Sequence, residues 1–102
     1  MSDIRQARKA LVARILEGNG HASRAQRSAA FNNTGLAGPV SALIDKVAKW
    51  SYKVTDEDVE AARAAGLSED QIFELAVCAA IGQATRQYET ALAALMAASE
   101  KG

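Results

Sequence analysis

Residues Thr55–Leu95, TDEDVEAARAAGLSEDQIFELAVCAAIGQATRQYETALAAL, read as a short capped helix, a glycine turn and a much longer second helix. Thr55 offers a side-chain oxygen as N-cap, and Asp58 three positions on makes a capping-box variant. The helix it opens runs from about Asp56 to Ala65, with Val59 and Ala62 along its stripe. Gly66 stands where a left-handed C-cap is wanted, and Leu67 supplies the hydrophobic contact across the turn. Ser68 and Gln71 then form a capping box for the next helix. The product is a tight αα-hairpin.

The second helix of that hairpin is the unusual one. From Glu69 to Ala98 nothing stronger than Gly82 interrupts it. It would span about 45 Å at the rise of an α-helix, against about 26 Å for twice the radius of gyration expected of such a chain. Residues 72–81, IFELAVCAAI, are apolar nearly all round except at Glu74. A helix apolar on every side is buried on every side. The expectation is an obligate homo-oligomer with this helix near its centre and Phe73, Val77, Ile81 and Tyr88 at the interface.

Upstream, a first helix is expected after Asp3 as N-cap, ending before Gly18. Its apolar face is Ile4, Leu11, Ile15 and the neighbouring Val12 and Leu16, with Arg5, Arg8, Lys9 and Arg14 mostly off it. Gly18-Asn19-Gly20-His21 is a loop. Ser23 opens a short helix through about Phe31, closed by Asn32-Asn33-Thr34-Gly35. Pro39 takes the first position of a third helix, whose face is Val40, Leu43, Ile44, Val47 and Trp50. No strand, repeat or low-complexity tract stands out, so the fold class is all-α: a bundle of about five helices in one domain, residues 1–102.

Composition supports assembly. Apolar residues make up 49% of the chain, but alanine supplies much of that share, and only five aromatics are available to fill a core. Net charge is zero yet uneven: residues 1–31 carry six Lys/Arg, and residues 54–75 carry seven acids against Arg63. A basic front suits nucleic acid or an anionic surface. The simpler reading is that it lies near the acidic middle of its own fold or of a neighbouring subunit. A lone Cys78 excludes an intrachain disulfide framework, and no leader or membrane-spanning run is visible, so a cytoplasmic protein with no membrane contact is expected.

Few residues could carry chemistry. One Cys and one His do not make a zinc site, and no phosphate-binding glycine loop, nucleophile elbow or dinucleotide fingerprint occurs, so neither metal nor cofactor is expected. Cys78, among Val77, Ala79, Ala80 and Ile81, reads as a small buried hydrophobe rather than an activated thiol. His21 lies in a Gly/Asn loop, ordinary unless beside a pocket, where it could act as acid or base. Gln83, Thr85, Arg86 and Gln87 interrupt the apolar helix and need partners if buried; Arg86 could pair with Glu89, pair with a neighbouring subunit's acid, or hold an anionic ligand.

The segment VTDEDVEAARAAGLSEDQIFELAVCAAIGQATRQYETALAAL resembles the alkylhydroperoxidase D-like, or carboxymuconolactone decarboxylase, superfamily. The likeness lies in the A-A-G-L-S-E-D-Q-I hairpin and the alanine-rich helix with a Tyr-containing end, and it covers about residues 39–96, or 39–98 with the helix completed, leaving residues 1–38 as N-terminal helices outside it. It implies an all-helical fold assembled as trimers or hexamers. The peroxidase members carry Cys-x-x-Cys-x-x-x-His before the hairpin. Counted back from Gly66, those positions hold Ser51, Val54 and Asp58, and the family's continuous catalytic helix is broken at Val54-Thr55. A dithiol peroxidase needs one thiolate to attack and another to resolve, which Cys78 alone cannot provide.

Three functions follow in order of preference. The first is a non-catalytic or accessory oligomerisation protein, assembled with itself or with a larger catalytic relative. The second is a cysteine-independent decarboxylase or isomerase for a small organic acid, using His21, Arg86 and Tyr88 in a closed pocket. The third, a helix-turn-helix DNA binder, is disfavoured because Glu69, Asp70 and Glu74 sit where cations should meet phosphates.

Overall fold

Five α-helices form, and the computed structural model describes them over residues 2–101, with side chains for residues 5–100. They are α1 (Ser2–Glu17), α2 (Arg24–Asn32), α3 (Gly38–Trp50), α4 (Asp56–Ala64) and α5 (Glu69–Lys101), with a 3-10 turn at Ser51–Lys53. Among the described residues there is no strand, and no helix is long and apolar enough to cross a membrane.

The caps behave as their chemistry requires. Thr55 Oγ1 accepts from the Asp58 N–H, while the Thr55 N–H donates to the Asp58 carboxylate. Ser68 and Gln71 exchange the same pair of bonds, and so do Ser23 and Gln26, a box unmarked in the reading of α2 above. At the end of α4, Gly66 takes φ +111°. The Leu67 N–H reaches back to the Ala62 carbonyl and the Gly66 N–H to that of Arg63, the paired bonds of a Schellman turn. The hairpin α4–α5 is therefore built as expected. Three boundaries shift: α3 starts at Gly38, with Pro39 second, the backbone is already helical at Asp3, and α5 runs on past Ala98 to Lys101. The side chains of Asp3 and Ile4, assigned above to a cap and an apolar face, lie outside the described residues.

The core runs along one side of α5. Ala22, Ala30, Ile44, Leu75, Cys78 and Ala79 form its larger part. Leu43, Ala62 and Ile72 form the smaller, and Val40, Val47 and Leu67 touch both. It is thin: the largest side chains buried completely are Ile44, Leu75 and Cys78. Helix α2 packs most extensively on α5, and α3 follows.

Several apolar residues stand outside this core. Leu11, expected on the α1 face, is exposed, because among the described residues α1 meets the core through Ile15 and Leu16. Trp50 is 45% exposed. The chain leaves α3 there at φ −144°, ψ 64°, and carries the ring off the helical face to lie 5.3 Å from the Lys53 ammonium. Phe73 is 69% exposed, and Ala80 is exposed too. Within one chain the apolar run of α5 is thus covered on one side, not all round. The reason is geometric: α1–α4 all sit to the same side of it. The last turns, from Ala93 to Glu100, are exposed throughout. The radius of gyration is 15.5 Å, with extents of 54 × 28 × 20 Å, above the about 13 Å of a compact chain this long.

Candidate functional site

Five chemically capable residues, His21, Arg27, Asp70, Glu74 and Cys78, meet where the loop Gly18–Ser23 crosses the start of α5. The Glu74 carboxylate accepts the His21 N–H (2.7 and 3.0 Å) and the Ala22 N–H (3.1 Å). Gly20 makes this possible, since a Cβ there would lie 2.5 Å from Glu74 Oε1. Partial burial pushes the Glu74 pKa up, but the two N–H donors, with the charges of His21 and Arg27, outweigh it and hold the carboxyl below its ordinary value. The imidazole itself is solvated, with Nε2 3.7 Å from Asp70.

Beneath the loop, Arg27 is buried and donates through Nη1 to the carbonyls of Ile15 (3.2 Å) and Gly18 (2.6 Å). A cation on the last carbonyls of a helix complements its dipole, so Arg27 acts as the C-terminal cap of α1. Its Nε has no partner among the described residues. Cys78 Sγ lies 3.8 Å from the same Ile15 carbonyl. Burial pushes the thiol pKa up, and the opposing pull of Arg27 does not overcome it. A buried thiol held in its neutral form is a poor nucleophile. This cluster ties α1, α2 and α5 together and offers no activated group.

A second junction lies three turns along α5. Gly82 is buried under Phe31, where an added Cβ would collide with the Phe31 carbonyl. That carbonyl accepts Arg86 Nη1 at 2.7 Å, and Arg86 Nη2 donates to Gln83 Oε1 at 3.0 Å. Thr85 Oγ1 donates to the Ile81 carbonyl. The polar turn finds several of its partners within the chain. Arg86 caps α2 and does not pair with Glu89.

Tyr88 is elsewhere again. Its ring lies under the Arg8 guanidinium, 3.8 Å from the centroid, on the wall of a groove of about 850 Å³ between α1, α2 and the second half of α5. His21, Arg86 and Tyr88 thus belong to three separate settings, and a single pocket holding all three is not formed in the chain. Among the described residues, no three His, Cys, Asp or Glu side chains converge as metal ligands.

Among the described residues, the outer face of α5 is left unpartnered. Phe73 and Val77, Ala80 and Ala84, Gln87 and Ala91, Ala94 and Ala98 form four pairs, four apart within a pair and three apart between pairs. That is the 4–3 spacing of a helix-packing seam. Every member but the half-buried Val77 is exposed. Of the residues named for an interface, Phe73 and Val77 lie on this seam, Ile81 is half-buried beside it, and Tyr88 turns to the groove. The spacing of the seam is visible in the sequence.

The positions matched to the peroxidase motif are structural here. Ser51 is exposed in the 3-10 turn, Val54 is extended, and Asp58 holds Lys46 at 2.8 Å while it caps α4. Helix α3 ends at Trp50 and α4 begins at Asp56, so the break around Val54-Thr55 is present. In comparisons with known proteins, the chain matches no family model, no curated protein and no solved structure.

Proposed function

We propose that this chain is a non-catalytic helical oligomerisation protein, a short relative of the alkylhydroperoxidase D-like superfamily that assembles through α5. Its partners are further copies of itself or a larger relative of the same superfamily. The solvent-facing 4–3 seam from Phe73 to Ala98 carries the reading. It covers about 38 Å of helix at an α-helical rise. Alanine along it lets two axes approach to about 8 Å.

The magnitudes are adequate. Burying a side chain of the size of Phe73, Val77 or Leu95, which flanks the seam four residues after Ala91 and three before Ala98, contributes about 1.5–3 kcal/mol. A pair of chains would bury six of them, about 9–18 kcal/mol, with Val77 towards the low end because it is already half-covered. Association costs about 4–15 kcal/mol in lost freedom. The non-catalytic half of the reading draws support from the solvated His21, the neutral buried Cys78 and the structural duty of Asp58.

Ala84→Arg combined with Ala91→Arg places two cations in the seam without touching the core. Light scattering should show the assembly reduced to the 10.7 kDa chain, with helical circular dichroism retained. An unchanged assembly would reject α5 as the interface.

A further inference from the structure

The groove between α1, α2 and α5 has the wrong chemistry for a packing defect. Its floor is apolar, made by Val12, Leu16, Phe31 and Leu92. Its charged residues are unevenly placed. Arg8 stacks on Tyr88, so the N-terminal half of α1 lies over the Tyr88–Leu92 turn and brings Arg5 and Lys9 there, against the single acid Glu89. At the other end Arg24 stands with Glu17. Among the described residues none of Arg5, Arg8, Lys9 and Arg24 forms an ion pair. One end is thus cationic, the other is balanced, and the space between them is apolar over about 12 Å, the rise from Lys9 to Glu17.

We propose that this groove binds an amphiphilic monocarboxylate, a fatty acid of medium to long chain. The carboxylate sits among Arg5, Arg8 and Lys9, where guanidinium forks match its two oxygens. The acyl chain lies along Val12, Leu16 and Phe31 towards Arg24. The volume of about 850 Å³ falls within the usual range for small-molecule sites, and an apolar lining with a few charged groups at one end is their usual make-up. Nucleic acid fits poorly, since the cations flank an apolar floor rather than a track for phosphates. A second copy of the chain is better matched to the alanine seam, which lies on another face of α5, so the groove stays open in the assembly.

Calorimetric titration of the full chain with tetradecanoate, tetradecanol and tetradecyltrimethylammonium tests this. Tetradecanoate should saturate at one per chain and bind at least tenfold more tightly than the alcohol, with the ammonium weaker still. Arg5→Glu with Lys9→Glu, which leaves the Arg8–Tyr88 stack in place, should weaken tetradecanoate at least tenfold. Ser28→Trp, which fills the groove from the exposed face of α2, should abolish it. No saturable binding, equal binding of the three head groups by the unaltered chain, or retention by anionic phosphatidylglycerol vesicles without binding of free tetradecanoate would overturn the proposal. The head-group series needs no variant, so it decides the matter even if a substitution impairs folding.

Discussion

At Gly82 two effects of one methyl group oppose each other. Alanine is favoured over glycine inside a helix by about 1 kcal/mol. Here the added Cβ would meet the Phe31 carbonyl, which is backbone and already fixed by Arg86 Nη1. Overpacking of this kind costs about 1–3 kcal/mol or more, and α2 cannot back away without losing the Arg86 bond. Gly82→Ala should therefore lower stability by about 2 kcal/mol, read as a fall in the urea midpoint; a rise would mean that α2 and α5 do not cross there. From the sequence Gly82 is visible only as a weak helix breaker, because the atom that requires it lies 51 residues away, at Phe31. Cys78 was legible from its apolar neighbours. Its thiol should react with a disulfide reagent in the native protein far more slowly than in urea, and equal rates would place it on the surface.

At the scale of elements, the caps were the most legible part. Thr55/Asp58, Gly66 and Ser68/Gln71 are local, so their geometry is written in adjacent residues. The fastening of the loop Gly18–Ser23 was not legible, because Glu74 looks like a lone flaw in an apolar run until the loop N–H groups are placed on it. That fastening has a pH signature. The Glu74 pKa is lowered in the folded chain from an ordinary 4.5. Its contribution is fully present above the unfolded value and is lost as pH falls through the lowered folded value. The difference in urea midpoint between the natural chain and Glu74→Gln should therefore shrink on acidification from about pH 6 to about pH 3. A difference independent of pH would show that the carboxylate charge does not hold the loop. Arg27→Met removes the cap on α1 and should cost about 2–3 kcal/mol, since hydrogen bonds from a charged donor are among the stronger ones. An unchanged midpoint would assign the cap no weight.

In the whole molecule, a helix of 33 residues lies beside a small core. Its length was legible from the absence of breakers. Which faces it leaves open was not, because hydropathy alone could not say that α1–α4 gather on one side. The outer face that results carries Phe73 at one end and Leu95 near the other, 69% and 66% exposed, with an alanine seam between them. Sedimentation equilibrium of the natural chain over a hundredfold range of concentration decides whether it assembles. The expected result is a mass that is a multiple of 10.7 kDa, falling towards one chain only on dilution. A single species of 10.7 kDa at every concentration would contradict it.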